Sequence, residues 1–153
     1  MAENLLTFSN PVFAQFAYYS AISIGKMFAI VPMIVYRRFS TGTFANKEDV
    51  LSRDKKGNPT AKVGINESVE RGRRNHLNDM ENIFPFVLIG FFYVLTKPDL
   101  NVATWHFRVF AFSRIVHMLA YQIPIKQPTR ALSFGVGMGT MLSMLYQVLT
   151  YSA

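Results

Sequence analysis

Apolar residues gather in four blocks along the chain. Val12 to Tyr36 is a run of 25 residues in which Lys26 is the one charge. Ile83 to Leu95 is uncharged for thirteen residues. Val102 to Ile123 is apolar apart from His106, Arg108, Arg114 and His117, and Ala131 to Tyr151 carries no charge. Pro98, Pro124 and Pro128 stand in the gaps, where helices begin or end. The pattern predicts an all-α integral membrane protein, a bundle of four transmembrane helices in one domain over 1–153. The expected helices are about 11–37, 68–96, 101–123 and 128–151, with a cytosolic loop over 38–67.

The second block is the informative one. Thirteen residues rising about 1.5 Å each reach roughly 20 Å, short of a hydrocarbon core of roughly 30 Å. The helix must take turns from its N-terminal side, which is "VERGRRNHLNDMENIFPF" (69–86). Ten of the first fourteen residues there are charged or carry a side-chain hydrogen-bonding group. At least 76–82 is therefore expected at membrane depth. Pro85, interior to that helix, leaves the Glu81 carbonyl without its usual donor.

Half of the residues are hydrophobic and the net charge is +7. Ten of the sixteen Lys/Arg lie between Arg37 and Arg74, in one connection, a distribution that argues against nucleic acid. The same bias predicts that this loop and the turn around Lys126 are cytosolic and both termini lumenal. Within the loop, "SRDKKGNPTAKVGINE" has no periodicity and predicts a mobile segment without a second domain. The chain has no cysteine, which excludes disulfides, thiolate metal sites and thiol nucleophiles of its own. Three separated histidines make a zinc site unexpected, and no metal is predicted.

Ionisable residues in membrane helices are costly unless they face protein or water, so each one suggests function. Arg74, Asn78 and Glu81 stand at i, i+4, i+7 and share a face, which Glu70 and Arg71 extend. Arg73, His76 and Asp79 form a ridge on roughly the opposite side. A helix polar on two sides needs protein around it, which suggests oligomerisation. Arg114, His117 and Tyr121 share a face of the third helix, and Arg130 falls in the first turn of the fourth, where free amides favour an anion.

Structural roles compete with these. Arg37 and Arg38 read equally as boundary residues whose heads reach water. Arg108 lies off the Arg114 face and reads as structural, His106 as an interface residue, and Lys26 as a neutraliser of an acid such as Asp79. The remaining polar residues could be interhelical glue. Against glue stands the excess of Arg73, Arg74, Arg114 and Arg130 over Glu81 and Asp79, which asks for an anionic ligand. A small zwitterionic peptide with two carboxylates and one amine has the matching profile.

The segment "VERGRRNHLNDMENIFPF", with "PDL", "FRVFAFSRIVHMLAY", "QPTRALSFGVG" and "RRFSTGTFANKEDV", closely resembles the membrane-associated proteins in eicosanoid and glutathione metabolism. The resemblance covers almost the whole chain. Glu70, Arg71, Arg74, His76, Asn78 and Glu81 carry its most specific motif, while "FANKEDV" and "NHLNDMEN" favour the glutathione transferase branch over the leukotriene- and prostaglandin-forming branches. Gly72 and Asn75 depart slightly from the motif, and Val50, next to Asp49, offers no thiol.

The resemblance implies a homotrimer that binds glutathione as co-substrate between subunits near the cytosolic side. It would conjugate the thiolate to hydrophobic electrophiles from the bilayer and reduce lipid hydroperoxides. Its implied glutathione contacts are Arg38, Arg73, Arg74, His76, Asn78, Glu81 and Tyr121, with Arg114 lining the site; Arg130, with Tyr121, would assist the thiol. The implied location is the endoplasmic reticulum membrane or the mitochondrial outer membrane. A specialised eicosanoid synthase, a non-enzymatic lipid-binding adaptor and a proton-coupled transporter are the rival readings.

Overall fold

The computed structural model describes residues 5–54 and 61–151. Helix α1, Pro11–Thr41, starts where Asn10 Oδ1 accepts the Val12 amide at 3.0 Å and a proline occupies the first turn. It stops at Gly42, whose φ of 62° is open to glycine at little cost and turns its amide back onto the Arg38 carbonyl. Helix α2, Lys47–Asp54, follows, flanked by the two-residue strands β1 (Thr43–Phe44) and β2 (Lys62–Val63), which pair in parallel.

Helix α3, Glu67–Leu95, is capped by Asn66 and has Glu67 and Glu70 in its first turn, where the helix dipole favours acids. Helix α4, Leu100–Gln122, begins at Asp99, which accepts the Asn101 and Val102 amides at 2.9 and 3.0 Å. Helix α5, Thr129–Thr150, follows the cis Gln127–Pro128 bond; its N-cap, Pro128, has no capping side chain, while Gln127 Oε1 accepts the Ala131 amide at 3.4 Å.

The chain is all-α in its architecture. Part of the 52–67 stretch, expected to lack regular structure, is ordered by pairing of Lys62–Val63 with Thr43–Phe44, while Phe44 is buried with its ring edge-on to Phe39. Positions 55–60 of that stretch lie outside the described residues. The polar run starting at Val69 is helical throughout and continuous with the apolar half. Pro85 sits inside that helix without ending it.

Helix α1 packs on α3 and α4, and α5 packs on α3 and α4. The apolar core lies at the end remote from the basic loop. Phe86 stacks on Phe110 with centroids 3.8 Å apart, and Phe16, Phe107, Tyr93 and Met144 close around them. Glycines allow the close approaches: a Cβ on Gly90 would overlap the Phe16 ring, and one on Gly137 would lie 2.8 Å from Ser113 Oγ. Large apolar side chains such as Phe28, Phe84, Phe112 and Tyr146 cover the outside. Helices α1 and α5 are each long and apolar enough to cross a membrane.

Candidate functional site

Helix α3 divides its polar residues between two environments, and its spacing determines which goes where. Val69, Gly72, Asn75, Asp79, Asn82 and Phe86 recur at three- and four-residue intervals and form the buried stripe. Arg73, Arg74 and Glu81 are exposed, while His76 and Asn78 are half-buried.

Inside the bundle, Lys26 of α1 donates from Nζ to Asp79 Oδ1 at 2.5 Å and to the Arg114 backbone carbonyl at 3.0 Å. One ammonium thereby ties α1, α3 and α4 together. The pairing of Lys26 with Asp79 expected from sequence is present. Arg114 is wholly buried, and none of its three guanidinium nitrogens has a hydrogen-bond partner among the described residues. Its Cζ lies 5.9 Å from the Phe134 ring centre. Asp79 Oδ2, both ends of the Asn75 amide and His117 Nδ1 are likewise buried without a partner. Two cations therefore share this interior with one carboxylate.

On the outer face, Arg74 pairs with Glu67 at 2.6 Å and Arg73 with Glu70 at 2.9 Å. The count of basic over acidic groups made from sequence left out these two glutamates, which sit in the first turn of α3. Both pairs are solvent-accessible and therefore worth about 0–1 kcal/mol each. An incoming carboxylate can displace either glutamate at small cost. Glu70, Arg73, Arg74 and His76 line a groove of about 300 Å³ whose apolar wall includes Ile34 and Leu77. The side chains of Glu81 and Arg38 make no ion pair among the described residues, and Asn78 Oδ1 is buried without a partner. Arg38 occupies the last turn of α1, where a cation complements the helix dipole.

A third group sits where α4 ends and α5 begins. The Arg130 guanidinium lies over the Tyr121 ring, with Cζ 4.8 Å from its centre, and Arg130 Nε is buried without a partner. The Tyr121 ring in turn lies 5.2 Å from that of His117. The face predicted for Arg114, His117 and Tyr121 is thus one face, graded from a wholly buried arginine to a half-buried phenol. No hydrogen bond, ion pair or ring contact among the described residues joins Tyr121 and Arg130 to Arg73, Arg74 or Glu81. Within this chain the sequence-predicted residues form separate groups.

Several contacts had no distinct signal in the sequence. Arg108 Nε donates to the Tyr19 hydroxyl at 2.9 Å, a pairing across 89 positions. His106 Nε2 lies 2.9 Å from Ser143 Oγ, joining α4 to α5. Buried Asn75 and Asn82 follow from the 3.6-residue period, once the inner face of α3 is known.

A helical chain with long apolar faces and a cationic polar interior defines a class of membrane proteins. Residues 16–150 match the MAPEG family, and the chain belongs to it. It is a membrane protein. Over 149 residues it is 44% identical to microsomal glutathione S-transferase 1 of Sus scrofa, covering 97% of this chain and 96% of that relative. The human protein of the same name is 42% identical over the same shares of both chains. Human prostaglandin E synthase is 33% identical over 153 residues, or 100% of this chain and 98% of that protein. The higher identity to the transferase agrees with the preference carried by "FANKEDV" and "NHLNDMEN".

Proposed function

We propose that this protein is a membrane-bound glutathione transferase that conjugates the glutathione thiolate to hydrophobic electrophiles dissolved in the bilayer. The identity to microsomal glutathione S-transferase 1 over nearly the whole chain supports the reaction class. The observation that carries the chemistry is Arg130: a guanidinium with no acid partner among the described residues, in the first turn of a helix whose N-cap, Pro128, supplies no side-chain acceptor, over the Tyr121 ring. A free thiol with a pKa of about 8.5 is mostly protonated at neutral pH. Lowering that pKa by two units takes about 2.7 kcal/mol of preference for the anion. A guanidinium and open helix amides in a partly desolvated site both favour S⁻ and are suited to supply it.

In this reading Arg38, Arg73, Arg74, His76, Asn78, Glu81 and Tyr121 hold the tripeptide. The arginines take its carboxylates and Glu81 its ammonium. Arg114 has no exposed surface in the protomer and lends charge from behind the site. The separation of the α3 groove from the Arg130–Tyr121 group supports a site completed by a neighbouring copy, in a homotrimer. The exposed Arg73, Arg74 and Glu81 also need protein or water around them if all four long helices cross the membrane. Their lengths of 31, 29, 23 and 22 residues each exceed a core of roughly 30 Å at about 1.5 Å per residue. Both termini then face the lumen of the endoplasmic reticulum and the glutathione site faces the cytosol. Glutathione-dependent reduction of lipid hydroperoxides is a second activity of the same thiolate.

The test is Arg130→Ala in purified protein. Thiolate formation is followed by ultraviolet absorbance, glutathione affinity by calorimetry, and turnover with a chromogenic aryl halide. Loss of thiolate and turnover with affinity largely kept supports the assignment. Unchanged thiolate and turnover overturn it. Prostaglandin endoperoxide isomerisation, assayed in parallel, separates the eicosanoid-forming alternative.

A further inference from the structure

On the outside of the bundle, between α4 and α5, lies a groove of about 480 Å³ that no step of the proposed reaction uses. Its walls are apolar, with Phe112, Leu132 and Val136 among them, and its lining includes Trp105, Arg108 and Thr129. The His106–Ser143 hydrogen bond and the close approach of Gly137 to Ser113 set the antiparallel register of the two helices. By that register Arg108 stands roughly 18 Å of helix rise from the level of Thr129, the neighbour of Arg130. One leaflet's share of a hydrocarbon core is roughly 15 Å. The groove has the length of a single acyl chain.

Arg108 supplies the polar end. It lies eight residues beyond Leu100, about 12 Å into α4 and deeper than a headgroup region. Its Nε is held by the Tyr19 hydroxyl at 2.9 Å, and its guanidinium Cζ lies 5.2 Å from the centre of the Trp105 ring. The two terminal amino groups have no hydrogen-bond partner among the described residues, and no carboxylate lies within 4.0 Å of them. A guanidinium stays charged and presents its remaining donors as a planar fork suited to a carboxylate. Unpaired on an apolar face, it is costly; paired with an anion, that cost falls.

We propose that the α4–α5 groove binds a long-chain fatty carboxylate, its head on Arg108 and its chain running towards the Thr129–Arg130 turn. A phospholipid is the poorer match, because it brings two chains to a groove with room for one. The consequence for turnover, a preference for acidic over neutral lipid electrophiles, rests on the glutathione transferase reading; the binding does not.

Trp105 is the one tryptophan of the chain and sits beside the head position, so it reports occupancy directly. The purified protein is placed in phosphatidylcholine nanodiscs and titrated with spin-labelled stearic acid or its methyl ester, with fluorescence quenching as the readout. The acid is expected to quench at a mole fraction at least tenfold lower than the ester. A label near the carboxyl should quench more strongly than one near the chain end. Arg108→Gln should abolish the acid's advantage, and Arg108→Lys, which keeps the charge and loses the fork, should retain part of it. Glutathione conjugation of a small aryl halide should continue in both variants. Equal quenching by acid and ester in the wild type overturns the proposal, as does an undiminished preference in Arg108→Gln. Absence of glutathione-dependent turnover in the wild type sinks the transferase reading and leaves the quenching result standing.

Discussion

Removing Asp79 should destabilise the protein more than removing Lys26, although the two form one ion pair. Their side chains are 0% and 6% exposed, and the buried Arg114 stands close by with no hydrogen-bond partner for its guanidinium among the described residues. Breaking a buried pair by deleting one member costs about 3–5 kcal/mol, because a charge is left uncompensated. Which charge remains differs between the two variants. Lys26→Met leaves the Asp79 carboxylate and the Arg114 guanidinium, a neutral sum, and Asp79 Oδ2 and all three guanidinium nitrogens are unsatisfied and able to find each other. Asp79→Asn leaves two cations in the same interior and no anion. The first variant should fall at or below about 3 kcal/mol and the second near about 5 kcal/mol. The corresponding unfolding equilibria shift by roughly two and more than three powers of ten. Adding Lys26→Met to Asp79→Asn removes one of the two stranded cations and should recover about 1.5–3 kcal/mol of coupling energy. Equilibrium unfolding in mixed micelles with rising sodium dodecyl sulfate, followed by circular dichroism, measures all three. A Lys26→Met protein as unstable as Asp79→Asn, or a cycle without coupling, would refute the charge-excess account of this interior.

Smaller perturbations test the neighbouring features. Arg74→Ala should raise the calorimetric dissociation constant for glutathione roughly tenfold or more, the worth of a charge-assisted hydrogen bond, with stability changed by less than about 1 kcal/mol. Glu81→Gln should weaken glutathione binding in the same assay, whereas a des-amino analogue should bind both proteins alike. Gly90→Ala sets a methyl against the Phe16 ring and should lower stability by about 1–3 kcal/mol. Gly139→Ala, with nothing within 4 Å of the new methyl, should instead raise stability by up to about 1 kcal/mol, both variants being read by the same mixed-micelle unfolding.

Helical periodicity made much of this arrangement legible. The shortness of the apolar run over 83–95 forces the polar residues before it into the same helix, and α3 is continuous from Glu67 to Leu95. The face shared by Arg114, His117 and Tyr121 follows from spacing alone. Lys26 could be matched to an acid such as Asp79 because a lone cation in an apolar run needs a partner. Spacing is blind to depth, however, and does not distinguish Arg114, sealed inside, from Tyr121 at the edge. It also cannot anticipate that Glu67 and Glu70 occupy Arg74 and Arg73, since flexible exposed side chains choose among several partners of nearly equal energy. The β1–β2 pairing went unread because two-residue strands carry no periodic signal.

The two faces of α3 explain why one helix carries so many polar groups. Of the inner residues, Asp79 binds the bundle together through Lys26, whose ammonium also holds α4 by the Arg114 backbone carbonyl. A contact to a carbonyl fixes the helix itself and leaves the Arg114 side chain free, so the structural ion pair does not consume the cation behind the proposed site. The outer Arg73 and Arg74 meet first-turn glutamates of their own helix, in pairs weak enough to yield to a ligand. The Lys26–Asp79 charges are thus buried and paired across helices, and the charges assigned to glutathione in the proposed site are exposed and held locally. The division accounts for a polar half-helix in which neither set can replace the other: the inner set lacks access, and the outer set lacks the burial that fixes helix position. Exchanging Asp79 and Glu81 between the faces would therefore damage both stability and glutathione binding, whereas two sets of interchangeable interhelical glue would tolerate the exchange.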